Sequence, residues 1–170
     1  MAVVNSKSTR VSNADAAVQT LSSVVVQHGR KRSSVATFEA VNGDSIGSTY
    51  RMHRVHSSWR ISKVLLYCDA ITTCTADLGL YNVPGRGSAA GTVVSATTYA
   101  TAQSLAAAIT VSPVNIAFEA KDIALAERQV WQDAVAARDL GYWYDLVLTL
   151  TAAAGSAGTI TLELEYIAND

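Results

Sequence analysis

A chain of 170 residues, 49% of them hydrophobic, fits one folded domain with a real core plus an extended arm, and global disorder is excluded. Charged residues make up 16%, below the roughly one quarter typical of soluble domains, with Ala, Thr, Ser and Val in their place. A net charge of −1 lacks the overall basic excess of an isolated nucleic-acid binder, and no window approaches a membrane span.

Residues 1–17 are rich in Ser, Asn and Ala without periodicity and read as an extended N-terminal arm, leaving 18–170 as a single domain. The start MAVVNSKSTR lacks the apolar core of a secretory signal, so synthesis in the cytoplasm is expected. Val18–Val26, VQTLSSVVV, reads as a first strand. The adjacent Arg30, Lys31 and Arg32 read as a solvated turn or as a contact with an acidic partner. SSVATFEAV is β-rich and stops at Asn42-Gly43-Asp44, a turn cluster. STYRMHRV, WRISKVLLYC and ADLGLYNV follow as strands, then the loop Pro84–Ser88. GTVVSATTYAT and LAAAITV are weaker strand candidates.

In DIALAERQVWQDAVAA, Ile123, Ala126, Val130 and Ala134 recur at helical spacing, and Asp122 is placed to cap the start. The spacing predicts one short helix near 122–136, with a strand through Arg128–Gln132 as the alternative. The last segments carry the clearest pattern. Tyr142, Tyr144, Leu146, Leu148 and Leu150 share one face of YWYDLVLTLT, and Ile160, Leu162, Leu164 and Tyr166 share one face of TITLELEYI. Period-two alternation on both sides of AAAGSAG predicts an antiparallel hairpin with one buried face. About eight strands at this spacing predict an all-β, jelly-roll-like antiparallel β-sandwich.

Charge is unevenly spread. Residues 1–68 hold nine Lys/Arg and three Asp/Glu, and residues 69–170 hold four and eleven. Complementary halves favour head-to-tail packing of copies, unless the sandwich interleaves them. Cys68 and Cys74 flank five residues; a hairpin there would let them bridge, whereas a cytoplasmic chain keeps them reduced.

No motif in the sequence assembles a reaction centre. Gly43-Asp44-Ser45 reads like the nucleophile block of GDSL esterases, but the histidines His28, His53 and His56 include none near the C-terminus and none three residues after an aspartate. His53 and His56 fall on opposite faces of a strand and lack further ligands for zinc. Glu163 and Glu165 share an outward strand face. The glycine-rich stretch PGRGSAAG precedes a β-rich segment rather than a helix, unlike a phosphate loop. Trp59, Trp131 and Trp143 suit a core or interface first and a carbohydrate platform second. The expectation is a protein that is no enzyme and needs no cofactor or metal.

The segments YRMHRVHSSWRISKVLLYCDAITTCTADLGLYN and YDLVLTLTAAAGSAGTITLELEY, with the D-x-G-L-Y cadence and the Ala/Gly turn, resemble small virion proteins of tailed bacteriophages. The likeness covers roughly residues 45–82 and 128–167. It implies a capsid decoration (cement) protein on the outside of the shell, binding the major capsid protein and its own copies as a homotrimer or homodimer, without nucleic acid or membrane. A neck, tail or fibre-attachment protein and a carbohydrate-binding module are the alternatives. The expected partner-binding residues are Val3, Val4, Lys7, Arg10, Arg30, Lys31 and Arg32.

Overall fold

Eight strands divide between two sheets in the computed structural model, which describes residues 7–20, 29–84 and 91–168. They are β1 Arg30–Ala40, β2 Thr49–His56, β3 Arg60–Cys68, β4 Thr75–Asn82, β5 Val93–Ser104, β6 Ile109–Asn115, β7 Trp143–Ala152 and β8 Gly158–Ala168. One sheet has the order β1-β8-β3-β6, the other β2-β7-β4-β5, and all pairings are antiparallel. The outermost strands in sequence pair with each other (β1 with β8), then β2 with β7, β3 with β6 and β4 with β5. Such a chain is a long ribbon folded at its middle and wound across two layers, which is the jelly-roll topology.

Alternation places the core between the layers. Leu146, Leu148 and Leu150 of β7 face Ile160, Leu162 and Leu164 of β8, joined by Ile61, Leu66, Leu78 and Leu80, all essentially without solvent contact. Each such side chain contributes roughly 2 kcal/mol relative to its exposed state. The expected β7–β8 hairpin does not form. β7 lies in one sheet and β8 in the other, so residues 153–157 cross between layers. Alternation reports which face is buried, and both sheets bury a face in the same core.

The β3–β4 connection makes the same kind of crossing, and the two loops dock together. Gly155 donates its amide to the Thr72 carbonyl (2.8 Å), and Ser156 Oγ accepts from the Thr72 amide (3.0 Å). Cys68 therefore ends a strand of one sheet and Cys74 precedes a strand of the other; both are buried free thiols.

Four further expectations change. Arg30, Lys31 and Arg32 are the first residues of β1, not a turn. The arm is not wholly extended: Thr9–Ala14 forms helix α1, capped by Ser8. Val18–Thr20 are not strand, and the rest of the proposed first strand lies outside the described residues. The segment expected as one helix folds as two separate turns, a 3-10 turn at Ile123–Leu125 and α2 at Val130–Asp133. Asp122 caps the first turn as anticipated, accepting from the Ala124 amide. Gln129 then donates its side-chain amide to the Ser58 carbonyl and Val130 its backbone amide to Trp59, which fastens this segment to the β2–β3 turn and breaks the helix there.

The D-x-G-L-Y motif has a structural explanation. A methyl group at Gly79 would fall 2.1 Å from the Ser95 carbonyl oxygen, because β5 bulges onto β4: Leu78 pairs with Ala100 but Leu80 with Ser95. Asp77 accepts from the Ala102 amide at the other end of the bulge, and Tyr81 hydrogen-bonds Thr149 on β7. The motif fixes one irregular strand.

Candidate interaction surfaces

The two halves of opposite charge meet within the molecule. Lys31 and Lys63 flank Glu165, Arg51 and Arg54 converge on Asp145, and Arg10 pairs with Glu127. Five of the seven ion pairs found among the described residues join a base before residue 68 to an acid after it. The ribbon winding brings early and late strands side by side, so these opposite charges pair within one copy.

The expected partner-binding residues separate into three places. Val3 and Val4 lie outside the described residues. Lys7 and Arg10 flank or lie on α1, where Lys7 pairs with Asp15 (2.6 Å) and Arg10 reaches Glu127. Arg10 also comes close enough to Arg60 that, after burial, its charge helps hold the Arg60 guanidinium below its usual range. Arg30, Lys31 and Arg32 open β1, the edge strand of its sheet. Lys31 holds Glu165 at 2.6 Å, keeping that carboxyl below the usual range. The Lys7–Asp15 and Arg10–Glu127 pairs are solvent-exposed, worth little by themselves and cheap to exchange for a partner's groups, whereas Glu165 is largely covered.

β1 is open to solvent along most of its length. Only Ala40 of its eleven residues is buried, and its edge opposite β8 meets no strand among the described residues. Val35, Phe38, Val41 and Ile46 are exposed along it and in the turn that follows. Cations at one end also guard a free edge against unwanted strand pairing.

The motifs sought for chemistry fall apart in space. Ser45 is exposed in the β1–β2 turn, whose Gly43 has φ +93°, and Asp44 there accepts from the Val41 amide and the Tyr50 hydroxyl. Those bonds hold the Asp44 carboxyl below its usual range. Of the two described histidines, buried His53 donates to the Leu162 carbonyl (3.0 Å), and His56 meets Ser58 (2.8 Å). β2 does carry a bulge, but at Arg51–His53, and the two rings end on different partners. No cluster of His, Cys, Asp or Glu fit for a metal occurs among the described residues. Glu163 and Glu165 are occupied by Tyr67 and by the two lysines respectively.

Two of the three tryptophans come together. Trp59 stacks on Tyr166 (4.2 Å, 17°) and meets Trp143 edge-on (5.5 Å, 82°), while His56 abuts Trp143 at 4.9 Å. Trp131 instead donates its indole N–H to Gln129.

No protein-family model and no curated protein matches the sequence. Solved structures do match. A chain of the cyanophage Pam1 capsid asymmetric unit superposes with a TM-score of 0.57 at 16% identity, covering 99% of this chain and 100% of that one. A chain of the capsid of Ralstonia phage GP4 gives 0.57 at 15% identity, over 82% and 86%. The likeness is one of fold.

One buried polar group remained invisible in the sequence. Lys121 and Asp133 pair at 2.6 Å with both side chains almost fully buried, and the Tyr99 hydroxyl donates to the same carboxylate at 3.0 Å. Burial pushes the Asp133 carboxyl and the Tyr99 hydroxyl up from their usual ranges. Only a lysine and an aspartate twelve residues apart in a segment of mixed pattern signalled it, which is no signal at all.

Proposed function

We propose that this protein is a structural component of a bacteriophage virion, docking on the outside of the capsid to brace capsomer junctions as a head decoration (cement) protein. The observation that carries the reading is the fold likeness to a chain of the Pam1 capsid along essentially the full length of both chains.

The surface suits the role. A decoration protein gains affinity from many modest contacts repeated by symmetry, so avidity multiplies each one. The open β1 edge, with Arg30, Lys31 and Arg32 at one end and Phe38, Val41 and Ile46 near the other, supplies polar and apolar contacts together. Lys7 and Arg10, beside and on α1, offer a second basic contact away from β1. Docking of a trimer or dimer on local symmetry axes needs no reaction centre, cofactor or metal, and the protein acts without catalysis.

The test is reconstitution. Particles lacking the protein are incubated with it at saturation, then imaged and challenged by heat. Added density over capsomer junctions and a higher disruption temperature are expected. A bare shell rejects the reading, and a copy number matching a neck or tail component redirects it there.

A further inference from the structure

The aromatic end of the sandwich borders a cleft that docking on a shell leaves unexplained. Its volume is about 540 Å³, within the range of small-ligand sites, and it is lined by Arg54, Asn82, Val83, Gly141, Tyr142 and Trp143. Tyr142 and Trp143 are 56% and 47% exposed, in succession, at the start of a strand whose next five residues are buried. Exposed neighbouring aromatics at that point serve no core.

The site is also held rigid from behind. Trp143 leans edge-on against Trp59, itself stacked on Tyr166, and against His56, so its ring has a fixed orientation. Arg54 donates through Nε to Asp145 (2.9 Å), a carboxylate buried in the sheet and also held by Arg51. The Asn82 side-chain amide donates to Thr92 Oγ1 (2.8 Å). Arg54 and Asn82 are thus each positioned by a partner outside the cleft.

We propose that this cleft binds a neutral saccharide, with a pyranose ring stacked on Trp143 and Tyr142 and its hydroxyls hydrogen-bonded by Arg54 and Asn82. The chemistry selects that class. A sugar ring offers an apolar C–H face to an aromatic and a rim of hydroxyls to planar polar side chains, and both features stand here side by side. Among the described lining residues Arg54 is the one cation, and Asp145 offsets its charge, which disfavours phosphate or nucleic acid there. A wholly apolar ligand would displace water from the remaining polar atoms of Arg54 and Asn82, those not engaged by Asp145 and Thr92, without replacing its hydrogen bonds. The proposal stands apart from capsid docking, which uses β1 and α1.

The full chain is screened on an array of neutral and acidic oligosaccharides, including bacterial surface polysaccharide fragments, and hits are titrated by tryptophan fluorescence and calorimetry. Neutral saccharides are expected to bind. Trp143→Ala should weaken them by roughly thirtyfold, in keeping with removal of an anchoring tryptophan. Arg54→Gln should weaken them less, and Val111→Ser, far out on β6, should leave binding unchanged. Circular dichroism and melting confirm that each variant folds; should Trp143→Ala fail to fold, Tyr142→Ala takes its place in the test. No neutral hit with the wild type, or hits indifferent to the aromatic substitutions, overturns the proposal. Retained particle binding in the Trp143 variant keeps the two functions separable.

Discussion

Gly79 is where a single atom decides the local fold. Alanine there would push a methyl group into the backbone of Ser95 and Ala96, so Gly79→Ala should destabilise the protein by about 3 kcal/mol, measured by urea unfolding. Lys121 and Asp133 make a different kind of demand. Lys121→Met strands a buried carboxylate and should cost about 3–5 kcal/mol, whereas Lys121→Met with Asp133→Leu should cost clearly less than the two single changes together. His53 adds a dependence on pH. Burial lowers its folded pKa, with the hydrogen bond to Leu162 opposing, so the unfolded chain binds the proton more readily. Stability is therefore fully present above the unfolded value of about 6.5 and erodes as the pH falls below it. Melting temperature should drop between pH 7 and 5, and His53→Gln should flatten that slope. Neither Gly79 nor Lys121 could be assigned a role from sequence: one depends on a bulge in another strand, the other on a partner across a loop.

At the scale of elements, β1 to β4, β7 and β8 were legible because period-two alternation and turn residues mark a half-buried strand whatever it pairs with. Pairing was not legible. Leu148 and Leu162 point into the same core from opposite layers, and an alternating pattern cannot tell a hairpin from two facing sheets. The candidate LAAAITV begins four residues before β6 and stops four short of its end; β6 runs on through Pro113, which is tolerated because β6 is an edge strand. The helix over 122–136 split because bonds from Gln129, Val130 and Trp131 to the β2–β3 turn outweigh the local spacing. α1 is tied to the body by the exposed Arg10–Glu127 pair. Deleting residues 2–12 should therefore leave the melting temperature within about 2 °C while weakening particle association, because an exposed pair adds little stability.

For the whole molecule, the winding of the ribbon joins the three levels. It interleaves a basic first half with an acidic second half, closes the core, and leaves β1 and the aromatic residues Tyr142 and Trp143 exposed. The candidate surface was legible only in its basic residues; the open edge and the cleft required the topology, since Arg54, Asn82 and Trp143 come from three different strands. An account of this kind makes function a matter of where the molecule sits. The most direct measurement is a cryo-electron microscopy reconstruction of the intact particle that carries it. The account predicts a two-layered density of this fold on the outer face of the shell, with β1 turned toward a neighbouring chain. Finding the fold only at the neck or tail, or no copy in the purified particle, would contradict it.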